Sequence, residues 1–468
     1  MRLRQGTWHL LSGSLLGRSL GFVFNLLLSR SLGPSGLGLF GLVLSTTQTF
    51  ELMARGGVDY GLSCALTGSQ ENQSPKERTL ISVSALRLVQ VTTLGLGVVL
   101  WGWVTLLQGL LPEALPIPRP AAAVAVVLIA SLESLGGLPW DLFLLAGRTR
   151  LVGLRQGLFA PLKLLAAAAG AWMAGISGAL TGYALMCAGQ MLWLQKMCNA
   201  QLEDMHVTQP DWQQARRLVR SGAPLYVTNA LSALVFLPLL AEVASSSGVA
   251  DVGYLRVGQL IVQLFTLLPG ALVPILFLKL RETTAGQEYN QSVETPLRLI
   301  WSLGLASLLV YLLIDQPLVS LFFGDSFLAS LQPTRFLILA AILDSLNQIL
   351  HTHLLARGRT GLFAFSQNIS ALLAAGIGWY LIPEMGLQGL LVSKFFFSAL
   401  PVLIYLGDAW KRFSQPANLT ILVTATLSVT PLCWWMELDP WLQLFLISMA
   451  SGCVLISSWP IKGLLNQP

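Results

Sequence analysis

The amino-acid sequence predicts an all-α polytopic membrane protein. About fourteen transmembrane helices are expected, as two six-helix bundles related by a pseudo-twofold axis along the membrane normal, plus two extra C-terminal helices. Three observations predict this fold class. The composition is too apolar for water, apolar runs of spanning length fill nearly the whole chain, and the first half is echoed by the second.

Of the 468 residues, 54% are hydrophobic and only 11% are charged, where a soluble domain carries about 25% charge. A hydrocarbon-facing fold has the opposite need, because each charge at mid-bilayer costs roughly 2.5–3.5 kcal/mol on insertion scales. The same composition excludes intrinsic disorder, which requires low hydrophobicity. The net charge of +6 does not point to nucleic acid, since the basic residues sit in short groups between apolar stretches and form no patch with interleaved aromatics. Such groups are what orientation in a membrane requires. Cys64, Cys187, Cys198, Cys433 and Cys453 lack paired spacing and read as small core residues, not as disulfides or metal ligands. Met1–Gln5 followed by an apolar run resembles a secretory leader, but the run is too long, carries Arg18 and lacks a small-x-small cleavage site. It reads as a mature transmembrane helix.

A span needs about 20 mostly apolar residues. Candidates lie near 7–29, 36–54, 80–108, 119–146, 151–174 and 177–197 in the first half. The second half supplies 219–245, 249–278, 293–314, 331–356, 361–382 and 386–407, and two more follow near 418–437 and 440–459. With the N-terminus in the cytoplasm, the inner loops and tails hold most of the 28 Lys and Arg residues, among them Arg55, Lys76, Arg148, Arg155, Arg216, Lys279, Arg357 and Lys411. The outer turns hold only Arg30, Arg119 and Arg335. This asymmetry predicts an even number of spans with both termini cytoplasmic. No loop is long enough to fold as a separate catalytic domain.

The repeat is the most informative feature. Gly147-Arg148-Thr149 recurs 211 positions later as Gly358-Arg359-Thr360, and Gln156 with Gln367, Gly175 with Gly386, Gly178 with Gly389, and Glu133 with Asp344 keep that offset. Nearer the start of each half the register slips, with Gly38-Leu39-Phe40 resembling Gly253-Tyr254-Leu255. The expected domains are a six-helix bundle over 1–205, a second over 206–412, and two additional helices over 413–468. Both bundles begin on the same side, so they are parallel repeats, a plan known in secondary transporters with the substrate path between halves.

Ser14-Leu15-Leu16-Gly17-Arg18-Ser19-Leu20-Gly21-Phe22, then Leu28-Ser29-Arg30-Ser31-Leu32-Gly33-Pro34 and Gly38-Leu39-Phe40, resembles the opening of polysaccharide flippases. These belong to the multidrug/oligosaccharidyl-lipid/polysaccharide exporter (MOP) superfamily. The Gly-x-x-Gly turns at Gly175 and Gly386 also look like that family. The resemblance implies a V-shaped pair of six-helix bundles that open alternately to each side, and a lipid-linked oligosaccharide carried on a polyprenyl pyrophosphate. The fourteen-span form is also that of flippases for the peptidoglycan precursor, whose additional first-helix arginines are absent here.

Ionisable groups inside spans should face a bundle interior or a wet cavity. Arg18, Arg87, Lys163, Arg256 and Lys394 are the basic ones. Arg18, Lys163 and Glu133 fall near mid-span, and adjacent antiparallel helices would let Glu133 and Lys163 meet as an ion pair. Asp344 is the repeat equivalent of Glu133, but Ala374 replaces the lysine, leaving Asp344 either protonated or paired with another helix. Arg18, Arg87, Arg256 and Lys163 are the candidate contacts for a substrate anion, because a pyrophosphate needs fixed positive charge and arginine offers a fork matching phosphate oxygens. Glu133 and Asp344 are candidates for ion pairing or coupling. Pro139, Pro161, Pro224, Pro238, Pro269, Pro274 and Pro401 are expected to kink their helices. Trp101, Trp103, Trp434, Trp435, Trp441 and Trp459 read as interfacial anchors, with Trp140 a further candidate.

No zinc spacing, phosphate loop or nucleophile elbow is present, so no metal or cofactor is implied. The expected function is a flippase for a polyprenyl-pyrophosphate-linked oligosaccharide in the bacterial plasma (inner) membrane. Its expected partners are that substrate, membrane lipids and other polysaccharide-assembly proteins. A cation-coupled multidrug or metabolite antiporter of the same superfamily is the alternative, and would prefer an acidic cavity. A membrane-embedded polysaccharide polymerase or glycosyltransferase would need a large outer loop or a polar catalytic segment, and the chain has neither.

Overall fold

The computed structural model describes residues 2–58, 75–102, 119–145, 149–201, 211–266, 276, 287–356 and 359–409. Among these, every regular element is helical. In chain order they are α1 (Arg2–Arg55), α2 (Pro75–Gly102), α3 (Arg119–Leu145), α4 (Thr149–Leu154), a π turn (Arg155–Phe159) and α5 (Ala160–Gln201). Then follow α6 (Trp212–Ser246), α7 (Val249–Phe265), α8 (Gln287–Phe323), a 3-10 turn (Asp325–Ser330), α9 (Leu331–Ala356), α10 (Thr360–Met385) and α11 (Leu387–Ala409). The expected spans at 418–437 and 440–459 lie outside the described residues, as does the end of the one at 249–278.

Seven helical stretches among the described residues are long and apolar enough to cross a membrane. Two of them, Leu15–Arg55 and Arg150–Leu194, hold 41 and 45 residues. At about 1.5 Å per residue each is roughly twice the ~30 Å hydrocarbon thickness. Each therefore has to fold back, and both do so at a glycine. The first breaks at Gly33 (φ 65°, ψ −178°) and the second at Ala174–Gly175, where Gly175 has φ 59°, ψ −143°. The second half makes the corresponding turns at Gly248 (φ 105°) between α6 and α7 and at Gly386 (φ 56°, ψ −128°) between α10 and α11. Residues with a Cβ rarely adopt these torsions, which is why glycine stands at all four turns. Gly175 and Gly386 keep the offset of 211 found in the sequence, and Gly33 and Gly248 are 215 apart.

The expected proline kinks are not where the backbone breaks. Pro401 lies inside α11, which stays helical throughout, and the interruptions in α1 and α5 fall at Gly33 and at Ala174–Gly175. Pro269 and Pro274 lie outside the described residues. Trp140 is not an interfacial anchor. It is 1% exposed, stacks on Trp193 at 5.7 Å between ring centroids and lies under the guanidinium of Arg155. Of the cysteines, Cys187 is buried and free.

The core has two main parts. One joins α7, α8, α9 and α11 through Leu260, Trp301, Tyr311, Ile349 and Tyr405. The other packs α1, α3 and α5 through Leu39, Phe40, Ile129 and Ala167, and continues across to Leu239, Val252 and Leu390 of the second half. At that crossing α1 meets α7 with no side chain between the backbones. A Cβ on Gly38 would overlap the carbonyl oxygen of Val249, and a Cβ on Gly253 would overlap that of Pro34. Pro34 and Val249 are related by the same 215-residue shift as Gly38 and Gly253. The contact is thus reciprocal, as a twofold relation between the halves demands.

At the same end, Arg30 donates to the carbonyl oxygens of Phe322, at 2.9 Å, and of Leu321, so a residue of the first half caps the final carbonyls of α8. Arg335 pairs with Asp315, its Nε 2.7 Å from Oδ2. Two of the three cations expected on the outer side therefore have local partners.

Candidate functional site

Two cavities lie between the helices, beyond the glycine contact, and Gln48 and Gln263 line both. These two glutamines are again 215 residues apart, which makes them repeat equivalents.

The smaller cavity, about 320 Å³, belongs mainly to the first half. Its wall carries Arg155, Lys163 and Arg256 against Glu51 and Glu133. Glu133 on α3 and Lys163 on α5 are brought together, with Nζ 2.6 Å from Oε1 and side-chain exposures of 11% and 8%. The same carboxylate oxygen accepts from Tyr183 Oη at 3.2 Å and from Cys187 Sγ at 3.4 Å. Three donors thus converge on one oxygen of a buried carboxylate, and such added hydrogen bonds are what make a buried pair tolerable. Glu51 is held by Arg55, and that pair lies where a Cβ on Gly137 would be.

Arg155 reaches this wall through local backbone geometry. Gly13 and Gly17 of α1 press against the backbone of Gly153 and Gln156, where any Cβ would overlap a carbonyl. The π turn Arg155–Phe159 starts at this contact. Its wider ring displaces the start of the fifth crossing, a feature common at functional sites. Arg256 arrives from the other half. Its side chain crosses over Gly41 and donates through Nη1 to Gln259 Oε1 at 3.2 Å, while its buried Nε has no hydrogen-bond partner.

The larger cavity, about 750 Å³, is lined by α1, α6, α7, α9 and α11. Asp344 on α9 pairs with Lys394 on α11 at 3.0 Å, so the partner lies on another helix, one of the two outcomes the sequence left open. Both side chains are about a third exposed, at 33% and 30%. The Lys394 ammonium lies 4.7 Å from the centroid of Phe397 and 5.5 Å from that of Phe236. Lys394 is the repeat equivalent of Tyr183, the residue that hydrogen-bonds Glu133 in the first half.

Of the residues singled out in the sequence, Lys163, Glu133 and Arg256 share the smaller cavity, and Asp344 lines the larger. Arg18 and Arg87 are exposed and line neither, and Arg87 contacts Gln90 Oε1 at 3.2 Å. Sequence reasoning passed over Arg155, which it placed in a cytoplasmic loop, and the pair Gln48 and Gln263. The glutamines carried a usable signal, since both are intramembrane amides at the offset already seen for Gly38 and Gly253.

Chains of known structure share this architecture over most of its length. Over 97% of this chain and 99% of the other, it superimposes on a lipid II flippase MurJ in an inward closed conformation, with a TM-score of 0.71 at 13% identity. The chain has the fold of this flippase. An inward-facing multidrug resistance MATE family transporter of the MOP superfamily matches over 85% of this chain and 95% of that one, with a TM-score of 0.62 at 14% identity. A MOP transporter from Pyrococcus furiosus, described by the reverse polarity of its binding pocket, covers 88% of this chain and 96% of its own (TM-score 0.60, 12% identity). Residues 3–132, the segment with the Arg- and Gly-bearing first helix, match the family described as polysaccharide biosynthesis protein. No curated protein matches the sequence. This two-lobed fold and its span-length apolar helices make the chain a multi-pass membrane protein, with the smaller cavity mainly in the first half and the larger mainly in the second.

Proposed function

We propose that this protein is a flippase that moves a polyprenyl-pyrophosphate-linked oligosaccharide across the bacterial plasma membrane by alternating access, for polysaccharide export. The observation that carries the reading is Arg256. Its guanidinium projects from the second half into a cavity of the first, keeps a buried N–H without a protein partner, and adds to two other cations on that wall. A charged group in a span is costly, and one left with an unmet donor calls for a ligand. Arginine matches phosphate oxygens with two parallel donors, and Lys163 and Arg155 surround the same space.

The halves 1–205 and 206–412 act in this reading as the two rocking bodies, and the glycine contact closes the outer side while the headgroup waits inside. Both termini are then cytoplasmic. Arg18 and Arg87 stay outside the proposed anion site because neither lines a cavity. The MOP fold is shared with MATE transporters, and the cavity's charge separates the two readings. Three cations against two carboxylates suit an anionic headgroup better than a cationic drug.

A deletion strain tests this. It should accumulate lipid-linked oligosaccharide in the inner leaflet with intact sugar chemistry. Arg256→Gln should fail to restore export at unchanged membrane abundance, and Arg256→Lys should restore it only in part, since an ammonium lacks the planar fork. Full complementation by Arg256→Gln would remove the proposed anion site. Normal surface glycan with new drug sensitivity in the deletion strain would replace the flippase by an antiporter.

A further inference from the structure

The larger cavity differs from the smaller in kind. Asp344 and Lys394 cancel in charge, and the other polar groups on its wall are amides and hydroxyls, including Gln259, Gln263 and Ser232. Such a wall offers a pyrophosphate no excess of positive charge. It offers instead donors and acceptors side by side: an amide supplies both, a carboxylate only accepts and an ammonium only donates. A sugar hydroxyl also donates and accepts, so neighbouring hydroxyls can be satisfied by this set without a net charge. Phe236 and Phe397 add apolar faces, and about 750 Å³ lies within the roughly 300–1,000 Å³ typical of sites for small organic ligands.

The repeat shows that this arrangement is not simply inherited packing. In the first half the lysine sits on α5 and is buried with its carboxylate. In the second half that position is Ala374, and the lysine stands at the position of Tyr183 instead. The exchange takes the ammonium from 8% to 30% exposed, and the carboxylate from 11% to 33%. A pair kept only for packing has little reason to sit on a cavity wall, where solvent screening leaves it worth little.

We infer that the larger cavity is the glycan subsite, in which Asp344, Lys394, Gln259 and Gln263 hold sugar hydroxyls against Phe397. This rests on the flippase reading and assigns the two parts of one substrate to two cavities. Gln263, which lines both, marks the junction where the first sugar follows the pyrophosphate.

The test uses the full-length protein in lipid nanodiscs and two probes: bare polyprenyl pyrophosphate, and the polyprenyl-pyrophosphate oligosaccharide extracted from the deletion strain. Wild type should bind the glycosylated probe at least about tenfold more tightly. Phe397→Leu and Asp344→Asn should abolish most of that advantage while leaving affinity for the bare carrier undiminished. Arg256→Gln should weaken both probes. Loss of both probes together in Phe397→Leu and Asp344→Asn would overturn the inference, as would an unchanged advantage of the glycosylated probe. If wild type binds the bare carrier as tightly as the glycosylated one, the glycan subsite falls and the flippase reading stands. If wild type binds neither, both fall.

Discussion

Glu133 and Asp344 occupy equivalent places in the two halves and meet opposite surroundings. Glu133 is enclosed by Lys163, Tyr183 and Cys187, all directed at one oxygen. Asp344 has Lys394 and an open wall. The carboxylate has been kept in both copies while its cation has changed helices. Burial then decides what each pair is for. The enclosed pair ties α3 to α5, and in the reading proposed above the open one exchanges its partner for a ligand.

Breaking the enclosed pair should have the largest effect on stability. Glu133→Gln leaves Lys163 as a buried, uncompensated charge and should cost about 3–5 kcal/mol, read as a lowered unfolding midpoint in detergent. Replacing both partners by apolar residues, as in Glu133→Leu with Lys163→Met, should recover most of that loss. If the double variant stays as unstable as the single one, the pair does more than hold two helices together.

The glycine contact sharpens the comparison from the other side, because there the halves are alike. Gly38→Ala and Gly253→Ala each place a Cβ onto a carbonyl of the opposite half, and each should disfavour the closed arrangement by about 1–3 kcal/mol. The two effects should be similar. A cysteine at Gln48 should then become reactive to a membrane-impermeant thiol reagent added on the side the glycines close. Markedly unequal responses would mean that the reciprocity of the contact is not energetic. The smallest effect is expected at the open pair, where Asp344→Asn should change stability by no more than about 1 kcal/mol. A larger loss would make Asp344 a structural residue like Glu133.

The parts of this fold that obey periodicity were legible in the sequence. Span boundaries near 29–36, 174–177, 245–249 and 382–386 fall at Gly33, Gly175, Gly248 and Gly386, since a backbone that must reverse needs a residue without a Cβ. The meeting of Glu133 and Lys163 followed from depth on neighbouring helices. Lys394 as the partner of Asp344 did not, because pairing across α9 and α11 depends on how non-consecutive helices pack. Arg155 was hidden for a related reason. A π turn, set by glycines distant in sequence, carries it from a loop-like position to a cavity wall. Trp140 was misplaced because a tryptophan near a span end has the same sequence signature whether it faces the interface or packs under an arginine.

The glycine contact between the halves also has an evolutionary side. Backbone lying on backbone leaves no side chain that a mutation elsewhere could trim to make room for one added there. A side chain at Gly38 or at Gly253 strikes the other half, because each presses on the counterpart of its own neighbour: Gly38 on Val249 and Gly253 on Pro34. The cavities behind them touch no such constraint, and they differ in charge and volume. A chain built this way can be altered along its cavity walls without disturbing the contact that joins its halves.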